Sequence, residues 1–487
     1  MRSVDIGVDP SSGPDASIET LLDRPGHEVA GLLRARQVTS LDLTRAALAR
    51  IAAIDPILES YALVAGERAL AQADAADRDL AGGIVRGPLH GVPIAVKDLC
   101  DTADLATAAG FAARANHIPE QDSTVVRRLA ESGTVLLGKL RMTEGAFAVH
   151  NDGKQAPRNP WNPSYWSGHS SSGSGVATAA GLAFATIGSD TGGSIRYPAS
   201  ANGVVGLKPT WGRISRFGVF PMAPSMDHLG PMTRTVRDAA LVLGIVAGAD
   251  AADASSARQP IADYAAGLDR PLAGARIAID RTILDGPLDG EVANTLASVL
   301  ATFEAGGAQI VETRFPVSQA ALDAWETICG VEAALVHREA RRRPGAGYGE
   351  AFNAFLEDGE SRGVGDLAAA MLTRNWLGAA IDAALLNADV FLLPVQRWSP
   401  PSLDDLQLRG ADVEFVSGLL WFTGPTDVSG HPSVVLPGGI SGAGVPIGFQ
   451  LVARHFDEAT LLGIGAAYER EVGGFRAPSA DRGARRR

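Results

Sequence analysis

The chain has 487 residues, of which 46% are hydrophobic and 20% charged, and its formal net charge is −12. That balance describes a globular protein with room for one large α/β domain or two to three ordinary ones. The acidic surface disfavours nucleic-acid phosphate, no run approaches the ~20 uninterrupted apolar residues of a membrane span, and two cysteines, Cys100 and Cys329, build neither a disulfide framework nor a spaced metal site.

In chain order, residues 1–20 are expected to form a loose leader. The opening MRSVDIGVDPSSGPD lacks the continuous apolar core of a signal peptide, so the cytoplasm is the expected compartment. From 18 to 76 the pattern is helical. Leu41, Leu43, Ala46, Leu48 and Ile51 recur at helical spacing, with Thr39 or Ser40 as the cap. Residues 91–96 (GVPIAV) predict a buried strand that ends at Lys97-Asp98. A helix is predicted over 123–131 and a strand over 133–137. Residues 151–175 are polar and rich in Pro and Gly, and loops of that length in a compact domain are usually functional.

A small-residue helix over 176–183, a strand over 185–187 and a second Gly/Ser-rich turn over 188–194 follow. Beyond them come a helix at 236–248, a strand at 274–279, a helix at 290–305 and a strand at 308–313. Residues 317–390 are mostly helical, 390–394 a strand, 432–437 and 447–453 a strand pair, and 457–471 the last helix. This alternation argues for one large α/β/α domain, a mixed twisted central sheet covered by helices. Its expected extent is 21–473, with a catalytic core at 88–240 and a pocket lid at 317–425. The arginine-rich stretch 474–487 is expected to be disordered, and Arg341-Arg342-Arg343 to be solvated.

Several tempting motifs fail. Residues 133–140 read G-x-x-x-x-G-K-L but lack the Ser/Thr of a phosphate-binding loop, and their middle is a strand pattern. There is no G-x-S-x-G elbow and no S-x-x-K, and the nine histidines show no metal-binding spacing. Two Gly/Ser turns remain, GHSSSGSG at 168–175 and GSDTGGSIR at 188–196, together with one lysine out of only four: Lys97, Lys139, Lys154 and Lys208. Gly192 and Gly193 permit backbone angles closed to other residues, so successive N–H groups can converge as an oxyanion hole beside a hydroxyl. Lys97 follows an apolar strand, where desolvation favours the neutral amine that a general base requires. Against this, flexible turns share the Gly/Ser composition, and Lys97 could simply pair with Asp98 or Asp101. Residue chemistry alone leaves both readings open.

The two turns, however, resemble the core of the amidase signature family, here GHSSSGSGVATAAGLAFATIGSDTGGSIR over 168–196. The lysine motif matches at 91–98. Further matches lie at 206–210 and 212–215, at Asp227 and Gly230-Pro231, at Gly430-His431-Pro432, and at 446–450. The likeness spans 28–472. It implies an amidohydrolase that cleaves a carboxylic amide to acid and amine through an acyl-enzyme, with no metal or cofactor; esters and carbamates present the same carbonyl geometry, so side activity on them is expected.

By position the resemblance makes Ser194 the nucleophile, Lys97 the base and Ser170 the bridging serine. Ser170 is the first of the Ser170-Ser171 pair, because the family keeps its triad serines twenty-four positions apart. The oxyanion donors would be the N–H groups of Thr191, Gly192, Gly193 and Ser194, with Ser171, Asp190 and Arg196 in support. The His169–Ser170 peptide bond is expected to be cis. His169 and Ser172 stand where the family usually has glycine, and 140–144 (LRMTE) departs from the usual pocket-wall run. Trp325, Trp376, Trp398, Trp421 and Phe422 in the lid region suit aryl or bulky apolar acyl groups.

One alternative is the amidase subunit of a tRNA-dependent amidotransferase. The segment FGVFPMAPSMDH at 217–228 departs from that protein's Tyr-Gly-rich run. A non-catalytic scaffold is disfavoured by the intact Lys97, Ser170 and Ser194. The expected partner is a small-molecule amide, with no nucleic acid or membrane; a homodimer is allowed for.

Overall fold

Among the described residues, eleven strands join in a single sheet. The structure, a computed structural model, describes residues 16–478 apart from 148, 152, 154, 344, 346 and 411. Lys154 and the terminal arginines therefore lie outside the described residues. The strands are β1 (Tyr61–Val64), β2 (Pro93–Lys97), β3 (Val135–Leu140), β4 (Ala185–Asp190), β5 (Val205–Lys208), β6 (His228–Thr233), β7 (Arg276–Ile279), β8 (Gln309–Glu312), β9 (Val390–Pro394), β10 (Ser433–Ile440) and β11 (Pro446–Val452). Their order is β1-β3-β2-β4-β6-β5-β10-β11-β9-β7-β8.

The sheet is mixed, as expected. β3, β2 and β4 run parallel near one end, and β8, β7 and β9 near the other. The strands between them pair antiparallel. β2, β3, β4 and β9 are buried at every residue, as strands covered on both faces must be. One contiguous apolar cluster runs from Leu22 to Tyr468. Among the described residues no helix is long and apolar enough to cross a membrane.

Several boundaries move for local reasons. The helical stretch expected over 18–76 is split by β1. Asp55 ends the preceding helix, Ser40–Leu58, by accepting the backbone N–H groups of Ser60 and Tyr61 at 2.8 and 3.1 Å, with Glu59 left-handed at φ 57°. That helix is capped by Thr39, which accepts from the Asp42 N–H at 3.0 Å. Residues 16–20 of the expected leader belong to a helix, Ala16–Leu21. The helix expected at 176–183 starts earlier, as Ser172–Ala179, and β4 runs on past 187 to Asp190. Both changes bring the two Gly/Ser turns closer to regular structure. The stretch 133–140 that mimics a phosphate loop contains β3.

Candidate active site

β2 and β4 pair in parallel, with Val96 opposite Ile187. Their carboxyl ends, Lys97 and Ser189-Asp190, therefore emerge side by side, at the edge where parallel α/β sheets place ligands. Lys97 is fully buried. Its Nζ makes three contacts, to Ser170 Oγ at 2.6 Å, Ser171 Oγ at 2.9 Å and Ser189 Oγ at 2.8 Å. Three ammonium protons can fill all three. When the amine is neutral, one contact reverses and a hydroxyl donates into the lone pair.

Burial pulls the Lys97 pKa from 10.5 to about 7, opposed only in part by the nearby carboxylates of Asp190 and Asp227. The pairing with Asp98 weighed from the sequence does not occur: Asp98 faces Lys139 at 3.2 Å instead. No ion pair links Lys97 to Asp101 among the described residues.

The first turn places Ser170 and Ser171 just ahead of the helix Ser172–Ala179. Gly168 adopts φ +90°, and a Cβ there would sit 2.4 Å from the Pro198 backbone, so only glycine fits. Ser171 Oγ lies 3.1 Å from Ser189 O and 3.2 Å from Ser189 N, which pins the two turns together. The expected cis bond between His169 and Ser170 is absent: no peptide bond is cis among the described residues. The left-handed Gly168 already turns the chain so that the Ser170 hydroxyl reaches Lys97. The His169 ring finds its room edge-on against Trp166, 5.0 Å between centroids, where burial takes its pKa down to about 4.

The second turn is built around Asp190. Its carboxylate accepts from the Gly193 N–H at 2.6 Å, the Ile195 N–H at 3.0 Å, and Arg196 Nε and Nη2 at 3.0 and 2.9 Å. Burial alone would raise the Asp190 pKa; the adjoining guanidinium overrides this and holds it well below the carboxylate range. Arg196 is in turn fixed by Asp427 at 2.6 Å, Thr426 Oγ1 at 2.6 Å and Gln450 Oε1 at 3.2 Å. Gly193, at φ +129°, lies under the Tyr197 ring, where a Cβ would fall 2.3 Å from the nearest carbon.

The expected set of four oxyanion donors needs one correction. The Gly193 N–H is spent on Asp190, because the carboxylate that shapes the turn needs a donor from its tip. Among the described residues, the N–H groups of Thr191, Gly192 and Ser194 meet no protein acceptor. Ser194 is the one residue between 189 and 196 that is not buried. Its hydroxyl has no hydrogen-bond partner among the described residues, so the Lys97–Ser170 contact is made and a Ser170–Ser194 contact is not.

Two contributors escaped the sequence reading. Ser189 supplies the third hydroxyl on Lys97, a role that appears only once β2 and β4 are paired. Asp227, matched by position but given no role, accepts from Thr191 Oγ1 at 2.7 Å and anchors the turn from outside. Of the five lid-region aromatics, Trp325 reaches the turn. Its Nε1 donates to Thr191 O at 2.6 Å, and its ring would meet a Cβ on Gly192 at 2.7 Å. Trp376 is exposed, Trp398 stacks on Phe415, Trp421 lies under the Arg397 guanidinium and Phe422 is in the core.

The amidase family profile matches residues 42–462. AmiD of Mycobacterium tuberculosis (strain ATCC 25618 / H37Rv), itself assigned as an amidase by inference, is 40% identical over 473 residues, covering 97% of this chain and 98% of that one. One component of the glutamyl-tRNA(Gln) amidotransferase of Geobacter metallireducens is 36% identical over 484 residues, covering 92% of this chain and 97% of that one. Among solved structures, the native peptide amidase from Stenotrophomonas maltophilia superposes with a TM-score of 0.82 at 30% identity, over 95% of this chain and 100% of that one.

Proposed function

The chain belongs to the amidase family, hydrolases acting on carbon–nitrogen bonds, and from that premise we propose that it hydrolyses a carboxylic amide through an acyl-enzyme on Ser194. The observation that carries the reading is a fully buried lysine whose side-chain partners are three serine hydroxyls, beside a loop whose accessible member is a serine. Neutral Lys97 draws a proton from Ser170, and Ser170 takes one from Ser194 as Ser194 Oγ bonds to the carbonyl carbon. The developing oxyanion faces the free N–H groups of Thr191, Gly192 and Ser194. The C–N bond then breaks, and the proton returns from Lys97 through Ser170 to the departing amine. Water adds to the acyl-enzyme by the same relay and releases the acid. The Ser170–Ser194 contact closes with substrate bound, since catalytic hydrogen bonds are often long in free enzymes.

Asp190 and Arg196 are positioning residues that fix the turn. Ser171 and Ser189 orient the amine. Trp325, braced against Thr191 and Gly192, supports a preference for aryl or bulky apolar acyl groups. Esters and carbamates offer the same carbonyl and are expected as lesser substrates.

A second reading, the amidase subunit of a tRNA-dependent amidotransferase, draws on the 36% identity to such a protein. The FGVFPMAPSMDH segment at 217–228 favours the free-standing hydrolase. A fluorophosphonate probe tests the assignment. It is expected to label the wild-type chain on Ser194 and leave Ser194→Ala unlabelled; an unlabelled wild type, or a labelled variant, overturns it. A panel of anilides, short aliphatic amides and aryl carbamates then ranks the acyl preference. Glutamine hydrolysis that appears only with a co-purifying partner would favour the second reading.

A further inference from the structure

Asp382, His431 and His455 come from three separate segments. Asp382 lies in the last turn of the helix Val364–Ala384, His431 in the turn after the helix Gly424–Ser429, and His455 between β11 and the helix Glu458–Glu471. They converge far from the serine turns in sequence: one side-chain donor atom from each lies within 4.8 Å of the other two. One side of that triangle, His431 Nε2 to Asp382 Oδ1, is 3.2 Å. The two imidazole rings lie 3.8 Å apart between centroids.

The two rings are held in place by one and the same residue. Ser429 Oγ lies 2.9 Å from His431 Nδ1, and Ser429 O accepts from His455 Nε2 at 2.9 Å. A ring nitrogen tied to a carbonyl or hydroxyl, leaving the opposite nitrogen to a ligand, is the outer-shell arrangement of metal-ligating histidines; in His431 that opposite nitrogen, Nε2, faces Asp382 Oδ1 at 3.2 Å. Lys208 Nζ donates to the His431 carbonyl at 2.6 Å, on the backbone side of the residue.

We propose that Asp382, His431 and His455 bind a divalent transition-metal ion of the zinc class, through two imidazole nitrogens and one carboxylate oxygen. Ligands about 2.0–2.1 Å from a tetrahedral ion stand roughly 3.3 Å from one another. The His431–Asp382 side already has that spacing, the other two sides lie within 4.8 Å and would shorten on binding, and the Asp382 side chain is 55% exposed. Two nitrogens and one oxygen suit zinc, copper or nickel over magnesium or calcium, and leave a fourth position for water. The ion would clamp the helix Val364–Ala384, in the lid region, to the β10 and β11 end of the sheet.

The test uses the full-length chain without an affinity tag, stripped by chelator and titrated with ZnCl2 by calorimetry while Tm is followed. One Zn2+ per chain, with Tm rising to saturation at one equivalent, is expected. Asp382→Asn and His455→Gln should each weaken binding by at least about tenfold and abolish the Tm rise. Both should leave the metal-free Tm and the hydrolysis of amide substrate unchanged. Co2+ bound to the wild type should show the intense visible bands of a tetrahedral site, weakened in both variants. No saturable Zn2+ binding at about 100 μM overturns the proposal, and so does binding that both variants retain in full.

Discussion

Lys97 and Lys139 lie on the neighbouring parallel strands β2 and β3, both wholly buried, and they differ in what they face. Lys139 meets the Asp98 carboxylate at 3.2 Å and Thr107 Oγ1 at 2.6 Å. Lys97 meets three hydroxyls. A buried ion pair holds its charges by mutual attraction, whereas a ring of neutral oxygens leaves desolvation unopposed at close range. Asp98 adjoins Lys97 in sequence, yet its turn toward Lys139 is what leaves Lys97 free to lose a proton. Lys208 sharpens the point. Burial brings its pKa to about 7 as well, but it donates to a backbone carbonyl, which has no proton to give. A lowered pKa thus makes a base only where the partner leads to a nucleophile.

The comparison breaks most visibly by exchanging which lysine is lost. Lys97→Ala should lower kcat/KM by about a thousandfold or more while the protein stays folded, because Ser170 then has nowhere to send its proton. Lys139→Ala should do the reverse. It leaves Asp98 buried without its partner, a loss of about 3–5 kcal/mol in stability by denaturant unfolding, with kcat per folded molecule within a few-fold of wild type. A stable, inactive Lys139→Ala or an active Lys97→Ala would void the distinction.

The acid limb of the pH profile is a gentler probe. The proposed mechanism needs Lys97 neutral in the free enzyme, and burial brings its pKa to about 7. Below that, kcat/KM should fall toward tenfold per pH unit as the amine is protonated; above it, the rate should reach a plateau. A flat profile between about pH 5 and 9, with chemistry limiting, would remove Lys97 as the base.

A glycine pair and an isolated lysine after an apolar strand could be singled out in the sequence because their chemistry is local, but that chemistry left their role open; the resemblance to the amidase signature family, with its serine spacing, is what points to Lys97, Ser170 and Ser194. What stayed hidden depends on pairing across the chain. β5 and β6 are short and broken by Gly, Pro or Lys, so no two-residue period announces them. Ser189 acts on Lys97 only because β4 lies beside β2. The oxyanion set lost Gly193 because a carboxylate three residues back reaches forward to it. The Asp382, His431 and His455 triangle joins residues 49 and 24 positions apart, a separation that no short motif carries.

The smallest effect separates the three hydroxyls around Lys97 from one another. In the proposed relay Ser170 carries the proton between Ser194 and Lys97 and Ser189 does not, though their distances to Nζ, 2.6 and 2.8 Å, are nearly equal. Ser170→Ala should therefore cost almost as much as losing Lys97. Ser189→Ala removes one hydrogen bond, worth about 0.5–1.5 kcal/mol, and should lower kcat by roughly threefold to tenfold with KM unchanged. Its hydroxyl oxygen accepts from the amine, a contact that favours the ammonium, so its loss should also lower the Lys97 pKa. The acid limb of kcat/KM would then move to lower pH, by less than about one unit. Structural damage alone would depress the rate at every pH and leave the limb in place. If Ser189→Ala instead falls to the level of Ser170→Ala, both hydroxyls carry the proton and the single-path relay from Ser194 is wrong.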